Sequence, residues 1–294
     1  MRVLVVGCGY VGLPLAAALA RAGHEVCGVR RSNGGEAAML SANIRPFAAD
    51  ITRPEDLARL PGPFDWVVNC VSSGRSGPAE YRAVYLEGTR LLLDWLAASP
   101  PKKYVYTGST SVYGQKDGSP VNESSPTQPA TETGLILLEV EESLIKAARE
   151  SDFPAVILRV AGIYGPGRGH LFQQYLRDEA RLAGSGDRII NMIHLDHVIG
   201  AAVAALEKGR PGAIYNAVDD EPVSQLEFFR WLAESLGKSM PPSASNEEPV
   251  SRKRGITSKR VLNQRLKAEL GYKFNYPDFR AGYSVEIQRL GLRV

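Results

Sequence analysis

The chain has 294 residues, 44% hydrophobic and 23% charged, with 35 basic against 32 acidic side chains and a net charge of +3. That length suits one or two domains with a full core, and the composition is that of an ordinary soluble globular protein. The charge is too balanced to argue for a nucleic-acid partner, and no uncharged apolar run reaches the ~18 residues of a membrane span.

The first thirty residues set the order of the rest. Arg2 to Val6 is a β-branched run, the pattern of a buried strand. Gly7-Cys8-Gly9-Tyr10-Val11-Gly12 follows, a G-x-G-x-x-G, and Leu13 to Ala22 is rich in good helix formers. Gly23 ends that helix, and Glu25 to Val29 reads as a second strand. In this context the motif points to a dinucleotide. Gly7 serves a tight turn, Gly9 lets a pyrophosphate approach the backbone beside Tyr10 and Val11, and Gly12 lets helix and strand pack closely. Free N–H groups and the helix dipole favour the phosphates, and Pro14 costs little in the first turn. A secretory leader is the competing reading, but glycines at 7, 9 and 12 and Pro14 suit its apolar segment badly.

The end of the second strand chooses the cofactor. NAD sites place an acidic residue there, whereas Arg accommodates the 2′-phosphate of NADP. Arg30, Arg31 and Ser32 stand at that point, so the expected cofactor is NADP, with NAD as the alternative.

Asn33-Gly34-Gly35 reads as a turn, Glu36 to Ser41 as a short helix, and Arg45 to Ala49 as a strand. Asp50 and Ile51 follow it, where a doubly wound sheet holds the adenine. Asp50 is placed either to accept from its amino group or to cap a helix over Thr52 to Leu60, with Pro54 near its start. Asp65 to Val71 is apolar enough for a strand buried on both faces, and Ser72-Ser73-Gly74 is the loop after it. A long helix is expected over Ala79 to Ala98, then a strand from Lys103 to Thr107 leading into Ser109. Strands alternating with helices predict an α/β fold, a Rossmann-type doubly wound parallel sheet. Its ligand edge collects the loops at Gly7, Arg30, Asp50, Val71-Ser72 and Thr107-Ser109. Cys8, Cys27 and Cys70 form no C-x-x-C pair, which favours reduced thiols and a cytoplasmic setting.

From Ser109 onward the chain resembles the extended short-chain dehydrogenase/reductases of the NAD-dependent epimerase/dehydratase family. Ser109-Thr110-Ser111-Val112-Tyr113-Gly114 is similar to its serine and Val-Tyr-Gly signature, and Glu123, Pro126 and Pro129 to its acidic loop. Leu158-Arg159 with Tyr164-Gly165-Pro166-Gly167, the stretch Ile193-His194-Leu195-Asp196-His197-Val198, and Ile214-Tyr215-Asn216-Ala217 resemble later segments. Two departures stand out. Aligning Gly134 and Glu141 puts Thr133 at the family's catalytic tyrosine and Leu137 at its lysine, and the glycine motif lacks the usual T-G-x-x-G-x-x-G form. Both resemble the atypical branch, whose members keep the fold and cofactor site and often lack the tyrosine. Gly9 to Ala16 is also similar to the start of nucleotide-sugar 6-dehydrogenases, but Arg30 replaces their acidic residue and no cysteine follows Cys70.

The resemblance implies a dinucleotide-binding domain over 1–168 and a smaller substrate-binding part over 169–294. The two interleave through strands near 188–193 and 213–218. The second part is expected to carry helices at Phe172–Ala183, Ser224–Leu236 and Arg260–Leu270, a loop over Pro241 to Glu248, and a basic cluster of Arg252, Lys253, Arg254, Lys259 and Arg260. That cluster is either solvated surface or a contact for a phosphate-bearing substrate.

An NAD(P)-dependent oxidoreductase or epimerase acting on a small carbonyl or nucleotide-sugar substrate is expected. A non-catalytic NADP-sensing regulator is the rival. Ser109 is positioned to hydrogen-bond a substrate carbonyl. Tyr85 stands where the family has asparagine, and a phenol there would replace the missing acid; packing is its alternative role. His194 and His197 lack a third ligand, so no metal is expected; His194 braces the substrate loop and Asp196 caps the next helix. Leu91, Leu92, Leu93, Leu135, Ile136 and Leu138 exceed one core stripe per helix, which with the family's two-fold pairing predicts a homodimer.

Overall fold

In the computed structural model, β1 (Arg2–Val6) is buried on both faces. Val3 and Val5 pack into one core and Leu4 and Val6 into another, all at 0% exposure. Two-sided burial requires a sheet covered by helices on each side. The structure describes residues 1–32, 34–73, 77–244 and 257–292. Asn33, Gly74, residues 245–248 of the expected loop, and Arg252, Lys253 and Arg254 lie outside the described residues.

The chain continues through α1 (Gly12–Arg21), β2 (Glu25–Arg30), α2 (Glu36–Ser41), β3 (Ile44–Ala48), α3 (Pro54–Leu57) and β4 (Trp66–Asn69). Helix α4 (Pro78–Tyr81) runs through a π-helical stretch, Arg82–Glu87, into α5 (Gly88–Ala97). Then come β5 (Lys103–Ser109), β6 (Pro120–Val121), α6 (Glu132–Glu150), β7 (Ala155–Val160) and β8 (Gly162–Tyr164). The remainder is α7 (His170–Leu176), β9 (Ile189–Ile190), β10 (Met192–His194), α8 (Leu195–Lys208), β11 (Ile214–Ala217), β12 (Val223–Ser224), α9 (Gln225–Leu236), β13 (Arg260–Val261), α10 (Gln264–Leu270) and α11 (Phe279–Arg289).

Seven strands form one parallel sheet in the order β11-β7-β5-β4-β1-β2-β3. The order reverses between β1 and β4, which is the topological switch point of a Rossmann-type sheet. Of the two later strands expected to interleave, β11 joins this sheet, while β9 and β10 pair with β12 and β8 instead. A third, aromatic core gathers Tyr164, Phe172, Phe228, Phe229, Phe279 and Tyr283 in the second part.

Several local expectations differ from the structure. The helix expected over Arg260–Leu270 is α10 alone, because Arg260 and Val261 pair with Pro120 and Val121 as β13. The helix expected over Phe172–Ala183 is the shorter α7, because the chain turns at Asp178 with a left-handed φ of 61°. Asp196 does not cap α8; the His194 side chain does, with its Nδ1 accepting from the Asp196 N–H at 3.2 Å. The sequence reading also omitted α11, although Asp278 caps it and Phe279, Tyr283 and Ile287 repeat at helical spacing on its buried face.

Candidate functional site

The glycine motif occupies the switch point, and close approach explains its outer glycines. Gly7 has φ 91°, and an added Cβ would stand 2.7 Å from the Cys70 carbonyl carbon after β4. A Cβ on Gly12 would collide with the Gly7 carbonyl oxygen. Gly9, by contrast, is exposed, and an added Cβ would meet only the Gly7 carbonyl oxygen, at an ordinary 3.9 Å. The amides of Gly7 and Cys8 both donate to the Val29 carbonyl, at 3.0 and 2.9 Å, tying the loop to the end of β2.

The helix behind the loop is left uncapped. Thr131, His194, Ser224 and Asp278 cap α6, α8, α9 and α11 through their side chains, whereas Val11 gives α1 no side-chain cap. Leu13 already donates to the Gly9 carbonyl at 3.1 Å and Pro14 has no N–H, so the amides of Val11 and Gly12, with the positive end of the helix dipole behind them, are the ones placed for a ligand.

The neighbouring loops carry the other expected residues. Arg30 is half-buried and lies over Gly35, while Arg31 and Ser32 are exposed. Arg31 reaches Glu80 at the start of α4, at 3.5 Å. Asp50 accepts from the Thr52 N–H at 3.0 Å and its hydroxyl at 2.7 Å, so it closes a turn; α3 begins after Arg53, without a side-chain cap. Ile51 buries its side chain against Gly88 in α5 and offers only backbone to a ligand. Val71 and Ser72 follow β4, and the Thr107 hydroxyl donates to the Asn69 carbonyl at 3.2 Å. Ser109 accepts from the Ser111 N–H at 3.2 Å. The Tyr85 hydroxyl, in the π-helical stretch, accepts from the Ser73 N–H at 3.3 Å, and the ring lies tilted against Tyr81, with centroids 4.8 Å apart. The expected residues thus lie along one edge, on loops after β1, β2, β3 and β4, within or just after β5, and on the helix beside β4.

Other motif residues turn inward. The buried Tyr113 hydroxyl donates to Asn216 Oδ1 at 2.9 Å and accepts from Arg159 Nη1 at 2.7 Å. Arg159 forks onto Glu141, with Nη2 donating to Oε2 at 2.7 Å. Glu123 accepts from the Asn216 N–H at 2.7 Å. Burial pushes the Glu141 carboxyl up despite Arg159; burial would lower Arg159, but the Glu141 hydrogen bonds and charge outweigh it. Sequence reasoning named Tyr113, Glu123, Arg159 and Asn216 without joining them into this network. Lys259, from the basic cluster, is also buried and donates to the Tyr113 carbonyl at 2.7 Å; burial lowers it to about 8.

At the aligned catalytic positions, the Thr133 hydroxyl is 3.2 Å from that of Thr131, and Leu137 is buried in the core. Burial holds the Cys8 and Cys70 thiols up at about 12, which leaves them unreactive. His194 and His197 serve packing: Nε2 of His194 faces Glu286 at 3.4 Å, and His197 hydrogen-bonds Tyr272 and accepts from the Tyr276 N–H. Among the described residues, no group of three or more His, Cys, Asp or Glu side chains is arranged to hold a metal ion. No helix among them is long and apolar enough to cross a membrane.

The fold and this edge define a dinucleotide-binding α/β protein. Residues 3–217 match the model of the NAD dependent epimerase/dehydratase family, and the chain belongs to that family. Protein YeeZ of Escherichia coli K12 is 32% identical over 284 residues, covering 94% of this chain and 97% of that protein. A 3-diazoavenalumate denitrifying reductase of Streptomyces is 27% identical, covering 97% of this chain and all of the reductase. The solved structure of DesIV, a dTDP-glucose 4,6-dehydratase of Streptomyces venezuelae, superposes with a TM-score of 0.85 at 21% identity, covering 98% and 96% of the two chains.

Proposed function

We propose that the protein is an NADP-preferring oxidoreductase or epimerase of the atypical short-chain type, acting on a small carbonyl or nucleotide-sugar substrate. The observation that carries the reading is the glycine loop at the switch point of the sheet, with Gly9 exposed and the start of α1 directly behind it. The solved DesIV structure has NAD bound and the Streptomyces relative is named a reductase, which supports nicotinamide chemistry here. The preference for NADP rests on Arg30 and Arg31.

With threonine and leucine at the aligned catalytic positions, the proton must come from elsewhere. Tyr85 lies in a widened helical turn, a geometry frequent at functional sites, with its hydroxyl at the loop after β4. Ser109 orients the carbonyl and Tyr85 donates the proton. The test is NADPH oxidation against a panel of aldehydes, ketones and nucleotide sugars. Tyr85→Phe should cut turnover by about 10²–10⁴-fold with NADPH affinity unchanged, the usual contribution of a general acid. Brisk turnover by the variant would remove Tyr85 from the mechanism. Tight NADPH binding with no turnover of any substrate would favour the sensor reading, which the burial of Leu137 supports.

We also propose a homodimer, paired through α5 and α6. Leu92 and Ile136 serve the core, but Leu135 stands 48% exposed and Leu91, Leu93 and Leu138 are half-buried. A monomer mass by light scattering at tens of micromolar would count against it.

A further inference from the structure

One residue of the glycine loop reaches into the segment that leads to the second part of the chain. Tyr10 lays its ring under the guanidinium of Arg168, whose central carbon is 4.2 Å from the ring centroid. The Tyr10 hydroxyl is buried, with no hydrogen-bond partner among the described residues. It abuts Gly165, where an added Cβ would stand 3.3 Å from it and 3.4 Å from His194 Nε2. Arg168 sits in the turn that follows, with its N–H donating to the Gly165 carbonyl at 2.9 Å.

Arg168 differs from three of the arginines near the cleft, though Arg30 likewise has no carboxylate partner among the described residues. Arg31 pairs with Glu80, Arg82 with Glu139 and Arg289 with Glu286. Arg168 is exposed, and among the described residues it has a ring beneath it and no carboxylate within ion-pair distance. An exposed cation–π contact is weaker than a bidentate guanidinium–phosphate pair, so the ring is a resting place that phosphate oxygens can outbid.

The loop beside it supplies no cation of its own; Arg30 acts on Cys8 at its β2 side, and Arg168 and Arg289 act on Tyr10. The motif offers amides and a helix dipole at Gly9, but no residue from Gly7 to Gly12 carries a charge. A pyrophosphate brings two negative charges to that spot. We propose that Arg168 clamps the pyrophosphate of the bound dinucleotide, moving from the Tyr10 ring onto the phosphate oxygens. This rests on the dinucleotide reading of the glycine loop. It makes Tyr10 the positioning residue that holds the clamp one step from the loop while the site is empty.

The experiment uses the full chain as wild type, Arg168→Ala and Arg168→Lys. NADPH affinity is read by calorimetry, and ADP-ribose, adenosine and UDP-glucose are read as competitors or direct ligands. Arg168→Ala should weaken NADPH and ADP-ribose alike, by about 10-fold or more, and leave adenosine unchanged. Arg168→Lys should fall between, since a point charge cannot fork, and added salt should narrow the gap between wild type and alanine. Equal binding of NADPH by wild type and Arg168→Ala overturns the clamp. So does an equal loss for adenosine, which would mean a distorted loop, or a loss confined to UDP-glucose, which would assign the arginine to a substrate phosphate. If wild type binds neither NADPH nor NADH, the dinucleotide reading fails first and the clamp with it.

Discussion

Two groups of motif residues share one edge of the sheet and are built in opposite ways. At Gly7, Gly9 and Gly12 side chains are withheld, so that backbone meets backbone at Gly7 and Gly12 and Gly9 stays exposed. At Tyr113, Glu141, Arg159 and Asn216 side chains are crowded together, each 3% exposed or less and each bonded to another of the four. The first group makes room for a ligand. The second ties β5, α6, β7 and β11 into one framework. Residues of both kinds carry the likeness to the family, so matching the second group argues for the fold and says little about the chemistry.

The largest way to sharpen that contrast is to unpair the framework. Arg159→Met leaves the Glu141 carboxyl buried without its partner, and breaking such a pair costs about 3–5 kcal/mol. Urea denaturation should register that loss, while the protein that remains folded should bind NADPH as wild type does. Replacing both partners, Arg159→Met with Glu141→Leu, should recover most of the stability, because no buried charge is left. A single variant that unfolds at the wild-type midpoint would show that the network is not structural.

The contrast also separates what was legible in the sequence. Strand, glycine turn, helix and strand follow from local spacing, and the doubly wound parallel sheet follows from their alternation, so the ligand edge could be read before any contact was known. The inward network could not. Glu141 and Arg159 are 18 residues apart and Tyr113 and Asn216 103 apart, and only the parallel pairing of β5 with β7 and β7 with β11 brings them together. The reach of Tyr10 to Arg168 is long-range in the same way. The sequence points to Asp196 as the cap of α8 because aspartate is the commoner capping type, while the imidazole two residues earlier has the geometry. Helix α11 was legible and missed: Asp278 and the Phe279, Tyr283, Ile287 repeat are a sufficient signal.

A smaller effect contrasts the second part with the ligand edge by pH. His197 is 1% exposed and burial lowers it from 6.5 to about 4, with His194 adding to the shift. Between those values the unfolded chain holds the proton and the folded chain does not. Stability from this group is therefore complete above pH 6.5 and is lost as the pH falls toward 4, on the order of 3 kcal/mol. Asp219 works in the opposite sense, since burial raises its carboxyl and the folded state keeps its proton as the pH rises. Urea midpoints from pH 4.5 to 7 should climb in wild type and climb less in His197→Gln. An identical slope in the variant would assign the acid sensitivity elsewhere.

The smallest effect lies at the cofactor-selecting end of β2, where both arginines already have something to do. Arg30 rests over Gly35, and Arg31 shares an exposed pair with Glu80 at 3.5 Å. A 2′-phosphate would take charge-assisted bonds from them worth about 1–3 kcal/mol each, but Arg31 must first leave Glu80. Exposed pairs of that kind hold about 0–1 kcal/mol, so the competition is weak and the phosphate should win it. Arg30→Ala with Arg31→Ala should weaken NADPH and leave NADH almost unmoved, erasing the preference. Glu80→Gln should do the reverse, tightening NADPH by less than about 1 kcal/mol because only the surface pair is removed. Calorimetry with both cofactors on the three proteins reads the difference directly. If NADH binds wild type as tightly as NADPH does, the arginines are surface charge and the edge is an NAD site without the usual acid.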